Sequence, residues 1–300
     1  MGSCATIMNV PHKNIAVYTT EPSKIIYKQD TFATINNQAD LIVERKKETL
    51  RMVVITDSLT RAIEVKPENS FMYWYNILGN YGLGMLVDRN NPKRYSYPKS
   101  IYISSTDTTG KYYRYRPINN EGELHLHVSL PHINSFHLTP ESEGTKSNTG
   151  FWGLTIGLDY YYSNNRFVNL GVSGVSDFFV PVPAAVDISG EYELMSSRYV
   201  SISHNHRLHR FVLGYGFAYA RNTWDLRYYN RFAPPPPTRD PVKKSHNAFG
   251  LIFPAYFQTG ERFHLGFAYR PTLYRPKSRA KLLLEHLLSI DFAWKIRLNK

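Results

Sequence analysis

Residues 152–162 read Trp-Gly-Leu-Thr-Ile-Gly-Leu-Asp-Tyr-Tyr-Tyr, with a large apolar or aromatic side chain at every second position. Side chains on a strand point to opposite faces with a period of two, so this stretch predicts a strand with one apolar face. The same alternation returns at residues 285–298. The fold therefore depends on which solvent such an apolar face meets.

Composition limits the possible answers. The chain has 300 residues, enough for one large or two moderate domains, and its 23 Tyr, 16 Phe and 4 Trp make up 14% of it. Mean hydropathy is −0.38 and no apolar run reaches the length of a membrane-spanning helix. Many aromatics in a polar chain are typical of a transmembrane β-barrel. On composition alone, a soluble β protein stays an alternative.

The second half of the sequence repeats the alternating pattern. The predicted strands are 123–137, 151–162, 166–177, 195–204, 211–224, 247–258, 262–274 and 285–298. Long connections (138–150, 178–194, 225–246, 275–284) alternate with short ones (163–165, 205–210, 259–261). This alternation is typical of bacterial outer-membrane barrels, whereas a soluble barrel with such an apolar outer face would aggregate.

We therefore predict an all-β fold in which a closed antiparallel eight-stranded transmembrane β-barrel (122–300) follows a small periplasmic β-sandwich. An even strand number places both ends of the barrel on one side of the membrane, and the long first connection places that side in the periplasm. Residues 4–70 are expected to form the β-sandwich, and 71–121 a membrane-proximal apolar helical segment and linker.

Charged and polar residues fall on the inward face of the predicted strands. A barrel of this size is filled by side chains, and buried charges must pair, so we expect a closed polar plug rather than a pore. A proton or ion path along Asp291, Asp159 and the histidines is the alternative. The expected network comprises Glu123, His125, His127, Asp159, Asp177, Arg262, His264, Arg270, Glu285, Asp291, Lys295 and Arg297.

The single cysteine, Cys4, follows Met1-Gly2-Ser3. These residues resemble the end of a bacterial lipoprotein signal, which implies lipidation of Cys4 and an apolar signal region upstream of the given sequence. The same letters fit a myristoylation pattern, which a bacterial barrel argues against. An inert thiol is the remaining alternative.

Short predicted strands fill residues 10–68, and the turn Arg45-Lys46-Lys47 separates two of them. This pattern resembles the PEGA-type domain of bacterial envelope lipoproteins. The usual Gly-Thr-Pro of that family is replaced here by residues 36–39. Residues 71–88 resemble a segment of similar lipoproteins, with an aromatic-x-Asn-Ile-Leu motif and an apolar run that ends in Asp. We expect a short helix there that lies against the membrane or between domains; a buried core helix is the alternative.

The formal net charge is +12, which favours anionic partners. No nucleic-acid motif accompanies this charge, so we expect no nucleic-acid partner. Basic residues of the predicted external loops would suit lipopolysaccharide phosphates or a neighbouring protein. These residues are Arg231, Arg239, Lys243, Lys244, Arg275, Lys277, Arg279 and Lys281.

Catalytic and metal-binding patterns are weak. Residues 245–250 resemble a lipid A deacylase motif, but Ala248 stands where the nucleophilic serine belongs. His127 and Ser129 have the right spacing but are expected inside the barrel. The pairs His125/His127 and His204/His206 are possible zinc ligands, and without Cys or carboxylate at matching spacing we predict no metal and no cofactor.

The sequence thus favours a non-enzymatic scaffold or accessory subunit of an envelope complex, such as one for outer-membrane protein assembly or transport. Its partners would be outer-membrane lipid, lipopolysaccharide and other outer-membrane or periplasmic proteins. A barrel that binds lipopolysaccharide or a small ligand is the second hypothesis, and a lipid A-modifying enzyme the third.

Overall fold

A computed structural model describes residues 4–57, 60–104, 111–116, 119–177, 190–229, 240–276 and 285–299. The chain forms two compact units, Met1–Pro117 and Ile118–Lys300. Each unit is built around its own β-structure.

The first unit contains nine short strands. They are β1 (His12–Thr19), β2 (Lys24–Tyr27), β3 (Asp30–Ala33), β4 (Gln38–Glu44), β5 (Leu50–Ile55), β6 (Thr60–Val65), β7 (Glu68–Asn69), β8 (Tyr95–Ser96) and β9 (Ser100–Ile103). The strand order is β4-β1-β9 in one sheet and β3-β2-β5-β6 in another, while β7 pairs with β8. Alternate residues of the two larger sheets meet in one apolar core, which includes Ile15, Leu41, Met52, Ile63 and Ile101.

Three short helices also belong to the first unit: α1 (Cys4–Met8), α2 (Phe71–Asn80) and α3 (Leu83–Val87). The apolar stretch 71–88 is thus helical, as expected, and 3-10 turns follow it at Asp88–Asn90 and Pro92–Arg94. The expected separate segment 71–121 also supplies β8 and β9. Because β9 runs parallel to β1 and buries Ile101 and Ile103, this part of the segment is integral to the first core.

The second unit is one antiparallel sheet. Its strands are β10 (Leu124–Leu138), β11 (Lys146–Gly150), β12 (Trp152–Ser163), β13 (Arg166–Ser176), β14 (Gly190–Leu208), β15 (Phe211–Tyr229), β16 (Val242–Gln258), β17 (Phe263–Tyr274) and β18 (His286–Arg297). Each strand pairs with the next, apart from β11, and β10 pairs with β18. The sheet therefore closes into a ring, which we call the barrel.

Register shifts interrupt the pairing of β10 with β18, of β12 with β13 and of β16 with β17. The register of β10 against β18 shifts between Pro131 and Ile133. At this bulge the inward-facing positions of β10 change from odd to even residue numbers. His125 and His127 before it, and Phe136 and Leu138 after it, are therefore all buried. Strand β11 was not expected: it lies in the predicted loop 138–150 and pairs with the end of β10.

Strands β14, β15 and β16 extend further toward the long connections than expected. The predicted strand 195–204, for instance, spans Gly190–Leu208. Beyond the apolar positions these strands continue with polar outward side chains, such as Lys243 and Ser245 on β16. Backbone pairing does not need an apolar face, so an apolar pattern alone underestimates the strand length. Among the described residues, no helix has the length and apolar character that crossing a membrane requires.

Lys13 on β1 is a half-buried cation of the first unit. Its Nζ donates hydrogen bonds to Ser96 Oγ at 2.8 Å and to the Tyr97 carbonyl. Burial, together with the nearby positive charges of Arg45 and Lys99, lowers the pKa of Lys13 to about 8. The neutral amine keeps two N–H donors, so both hydrogen bonds survive deprotonation.

This shift predicts a pH-dependent stability of the first unit. Because the folded pKa of about 8 lies below the ordinary 10.5, the unfolded state binds more protons between these values. The free energy of unfolding should therefore rise with pH across this interval, and Lys13→Met should remove that rise. Pulse proteolysis of the first unit within the full chain, at increasing urea and pH, measures it. Lys47→Met, at an exposed position, is the control. Parallel pH profiles for wild type and Lys13→Met would contradict the assignment.

Candidate functional site

The outer wall of the barrel is apolar. Large side chains that alternate along the strands are exposed in a way unusual for a protein in water. Examples, each at least 40% exposed, are Trp152, Leu154, Ile156, Leu158, Tyr160, Leu170, Val172, Val200, Ile202, Leu213, Phe217, Phe249, Leu265 and Phe267. We call this set the apolar band.

Aromatic residues border the apolar band at both ends. Toward the short turns, the His204 ring bonds the Tyr162 hydroxyl and, at 3.1 Å, the Tyr215 hydroxyl. Toward the long connections, the Tyr219 and Phe249 rings lie 4.7 Å apart, with Tyr274 next to Phe249 at 6.5 Å. Paired aromatic borders of this kind are typical of the two interfaces of a membrane-spanning barrel.

A buried ion pair occupies the middle of the barrel interior. Lys295 Nζ lies 2.6 Å from Asp159 Oδ2, and Asn169 donates a hydrogen bond to Asp159 Oδ1 at 2.6 Å. His127 Nδ1 is 3.8 Å from the same Oδ1. Lys295 Nζ also lies 4.3 Å from the Phe167 ring centre. The carboxylate of Asp159, which is 0% exposed, is thus held by a cation and a neutral donor.

Next to this pair, Asp291 accepts a hydrogen bond from the Tyr256 hydroxyl at 3.0 Å. The Tyr256 hydroxyl is also 3.5 Å from His127 Nε2. Tyr256 therefore connects Asp291 to the group around Asp159.

A second group closes the interior near the short turns. Glu123 accepts hydrogen bonds from Asn119 Nδ2 and the Asn120 amide, both at 3.0 Å, and contacts His125 Nε2 at 3.0 Å. Arg207 donates to Asn119 Oδ1 and, at 3.0 Å, to Gln258 Oε1. These side chains come from β10, β14, β16 and the residues before β10, so they tie the barrel end together across its interior.

A third group lies toward the long connections. Glu285 accepts hydrogen bonds from the Thr139 amide and contacts His246 Nε2, both at 2.9 Å, with Arg275 Nη1 at 3.5 Å. Elsewhere, Asp177 accepts a hydrogen bond from Asn148 at 2.6 Å.

Arg270 belongs to the same end of the interior. It donates to Ser197 Oγ at 2.5 Å and to Asn222 Oδ1 at 3.3 Å, and its guanidinium lies 4.5 Å from the Tyr199 ring centre. Polar and aromatic side chains from two other strands, β14 and β15, therefore surround this buried cation.

Two residues of the expected network do not lie inside. Arg262 is exposed because β17 begins one residue later, so its side chain belongs to the short turn. Arg297 ends β18, and its side chain is 36% exposed at the rim, 3.6 Å from Glu123 Oε1. His264 is buried, next to the Arg262 carbonyl at 3.4 Å. The period of the sequence predicts which way a side chain points but not where a strand begins.

The interior also contains an apolar cluster that the alternating pattern did not predict. Its buried members are Phe136, Leu138, Val175, Met195, Tyr199, Ala218, Ala220, Trp224, Ile252 and Leu287. Beside it, Glu193 accepts hydrogen bonds from Lys146 Nζ at 2.7 Å and Trp224 Nε1 at 3.0 Å. The cluster and the three polar groups together fill the barrel.

A small cavity lies between the polar groups of the interior. It is lined by His127, Asp159, Tyr199, Tyr256 and Asp291, among others, and its volume is about 30 Å³. A cavity needs at least roughly 10–15 Å³ to hold a water molecule, whereas ligand pockets occupy about 300–1,000 Å³. The space suits a few waters that bridge the polar groups.

The basic residues expected in external loops differ in position. Lys243 and Lys244 lie on β16, because that strand extends beyond its apolar part. Lys244 Nζ contacts Glu143 Oε1 and the Glu141 carbonyl, both at 2.6 Å. Arg275 turns inward to Thr139 O at 2.6 Å and to Glu285. The other five, Arg231, Arg239, Lys277, Arg279 and Lys281, lie outside the described residues.

The possible catalytic and metal patterns do not come together. Ser245 is exposed and bonds Thr223 Oγ1 at 3.0 Å, while His246 points inward to Glu285, so the two side chains lie on opposite faces. His127 and Ser129 are both buried inside. Within the described part of the chain, no three His, Cys, Asp or Glu side chains are grouped to hold a metal ion.

In the first unit, Asp88 joins the three helices. Its carboxylate is 0% exposed and accepts hydrogen bonds from the Ala5 and Thr6 amides at 3.3 and 3.1 Å. Thr6 Oγ1 and Asn76 Nδ2 donate to it at 2.6 and 2.9 Å. Asn76 and Asp88 are the Asn and Asp of the lipoprotein-like motif, so the structure gives that motif a physical role. A Cβ at Gly84 would lie 2.1 Å from Asn76 Oδ1, which explains the glycine there.

The same helices expose apolar side chains to solvent. Residues more than half exposed are Ile7, Met8, Phe71, Trp74, Ile77, Tyr81, Leu83, Leu86 and Val87. We call this set the helical apolar face. A buried core helix, the alternative for 71–88, would not expose them. Cys4 begins α1, directly before the residues that Asp88 holds.

Several interior residues were not predicted. Tyr256 and Trp224 were missed because an aromatic residue reads as lipid-facing in an alternating pattern. Arg207 lies beyond the predicted strand 195–204, and Asn119 lies before the predicted barrel. Arg207 is an even number of residues from the buried Ser197, Ser201 and Ser203 on β14, and this spacing is the signal that could have placed it inside.

No protein-family model matches the chain, and curated protein sequences contain no match to it. Among solved structures, Ail, the attachment invasion locus protein of Yersinia pestis, covers 59% of this chain and 99% of its own at 10% identity, with a TM-score of 0.39. Neisserial surface protein A covers 59% and 100% at 10% identity, with a TM-score of 0.36. The outer membrane protein OprG of Pseudomonas aeruginosa covers 60% and 98% at 10% identity, with a TM-score of 0.31. With TM-scores below 0.5, the barrel here stands on the strand pairing of the chain itself.

The Asp159–Lys295 pair makes the barrel sensitive to loss of one partner. Lys295→Met should lower the free energy of unfolding by roughly 3–5 kcal/mol, because it leaves a buried carboxylate without its cation. Urea unfolding in micelles, followed by tryptophan fluorescence, measures the loss. Asp159→Asn combined with Lys295→Met should recover most of it, and Lys243→Met, at an exposed position, should change stability by less than about 0.5 kcal/mol. Unchanged stability of Lys295→Met would show that the pair does not hold the interior together.

Proposed function

We propose that this protein is a non-enzymatic outer-membrane anchor that holds its first unit in the periplasm as a scaffold or accessory subunit of an envelope complex. The observation that carries the proposal is the apolar band around a closed antiparallel ring. In lipid, every backbone N–H and C=O must bond within the protein, which a closed sheet achieves. In water, the same outer face would drive aggregation.

We propose that the barrel has eight strands. Segments β11 and β12 both pair with β10, and only Phe151 separates them. If β11 and β12 count as one interrupted strand, the nine segments β10 to β18 form eight strands, an even number as in bacterial single-chain barrels. Both ends of the barrel then lie on the periplasmic side, together with the three short turns.

The filled interior favours an anchor over a channel or a carrier. Three polar groups and an apolar cluster occupy it, and the cavity of about 30 Å³ suits water. The charged side chains of the interior contact ionic or polar groups of other strands, as Asp159 contacts Lys295 and Arg270 contacts Ser197. No observation of its own favours an ion path or a small-ligand pocket.

The first unit supports a second attachment to the same membrane. We propose that residues 4–70 are PEGA-like, which the two sheets around one core support, and that Cys4 is lipidated. Asp88 fixes the start of α1 against α2 and α3, so an acyl chain on Cys4 would begin beside the helical apolar face. That face would then rest on the inner leaflet.

Labelling of single cysteines in cells tests the placement. Cys4 is the only native cysteine, so Cys4→Ser gives a background without thiols. In that background, Glu48→Cys lies at an exposed position of the first unit. Pro235→Cys lies in the long connection between β15 and β16. An impermeant maleimide should label Pro235→Cys in intact cells, and Glu48→Cys only after the outer membrane is permeabilised.

The matched control is Glu48→Cys and Pro235→Cys in fully lysed cells, where both should react equally. Labelling of Glu48→Cys in intact cells, or protection of Pro235→Cys, would contradict the proposed orientation. Recovery of both variants in the soluble fraction would contradict the membrane anchor itself.

A further inference from the structure

Two arginines face each other on the outer wall of the barrel. Arg198 on β14 is the direct cross-strand partner of Arg221 on β15, and both side chains are exposed. Their sequence neighbours Ser197 and Asn222 are buried in the interior, so both arginines point outward. Side chains of such a pair begin roughly 5 Å apart at Cβ.

This arrangement lacks a negative charge. Like charges directly opposite each other destabilise a sheet. Neither arginine takes part in an ion pair or a hydrogen bond among the described residues. The flanking residues in the same row are Gly174 on β13 and Asn247 on β16, and neither carries a carboxylate. Two adjacent guanidinium groups without a counter-charge suit an anion that bridges them.

The row lies at the edge of the apolar band. On the two strands the next outward residues toward the short turns are Val200 and Tyr219, both in exposed apolar positions. Arg198 is ten residues from Leu208, the end of β14. At about 3.3 Å per residue and a strand tilt of roughly 40°, this corresponds to about 25 Å across the membrane, the height of a typical apolar band. The arginines therefore lie at the depth of the lipid headgroups.

The surroundings suit a phosphate. Thr223 and Ser245, one outward position beyond Arg221, place their hydroxyl oxygens 3.0 Å apart on the outer surface. A Cβ on Gly174 would meet nothing within 4 Å, so there is open space beside Arg198. Guanidinium groups bind phosphate oxygens in a bidentate manner, and hydroxyls add further donors.

We propose that Arg198 and Arg221 form a binding site for the phosphorylated headgroup of an outer-leaflet lipid, with Thr223 and Ser245 as further donors. The inference rests on the proposed placement of the barrel in the outer membrane. It differs from binding by the basic loops, since Lys244 and Arg275 already contact groups of this chain. The lipid would lie against the wall of the barrel, its acyl chains beside Val200 and Tyr219.

Titration of lipid A into the full chain, in micelles of uncharged detergent, tests the site. Bisphosphorylated lipid A should bind wild type at least about tenfold more tightly than Arg198→Gln/Arg221→Gln, since the double variant loses the charge-assisted hydrogen bonds to phosphate. Lipid A without phosphates should bind both proteins equally weakly. Millimolar inorganic phosphate should compete poorly, because it lacks the contact of acyl chains with the wall.

The matched control is Lys243→Gln/Lys244→Gln, which removes the same charge about 13 Å further along the strand. Its affinity for bisphosphorylated lipid A should stay within about twofold of wild type, and folded protein on unheated SDS gels shows that each variant is intact. Equal losses in both double variants would overturn the site in favour of general charge attraction. Effective competition by inorganic phosphate would overturn the assignment to lipid. Both outcomes are read in micelles, so they are distinguishable from a failure of the labelling that tests membrane placement.

Discussion

Pairing of β10 with β18 is the constraint on which the second unit depends. Without it, the sheet would have two open edges of unpaired N–H and C=O groups, each costing several kcal/mol in lipid. With it, every strand except the short β11 has a neighbour on each side, and the outer wall needs only apolar side chains. The bulge between Pro131 and Ile133 lies on this closing pair, so the strand that closes the ring is also the one whose facing reverses.

Closure explains the interior. A ring this narrow leaves no lumen wide enough to hydrate charges freely, so each buried charge must find a partner across the barrel. Asp159 on β12 pairs with Lys295 on β18. Glu123, which precedes β10, and Arg207 on β14 both contact Asn119. Arg270 on β17 contacts side chains of β14 and β15. Contacts of this kind bind non-adjacent strands together. They give the wall a rigidity that backbone pairing between neighbours alone does not supply.

Much of the barrel is predictable from its sequence, for a physical reason. Lipid contact imposes a period of two, so residues 151–162 were expected where β12 spans Trp152–Ser163. The same criterion failed where strands leave the lipid, as at β14, and where an inward residue is aromatic, as at Tyr256. It also could not foresee the reversal at the bulge or the exposure of Arg262. Partners such as Asp159 and Lys295 depend on the stagger of strands around the ring, which no local pattern encodes. In the first unit, Asn76 and Asp88 come into contact only through the packing of α2 and α3, so the local sequence does not predict their hydrogen bond.

The central claim is that the outer wall meets lipid and the interior does not. Trp294 is 38% exposed on the outer wall and Trp224 is 1% exposed inside. Two single-tryptophan variants, each with the other three tryptophans replaced by Phe, should be reconstituted in vesicles with brominated acyl chains. The account predicts strong quenching of Trp294 fluorescence by the bromines and little quenching of Trp224. Equal quenching of both, or quenching of Trp294 by aqueous acrylamide but not by bromolipid, would contradict it.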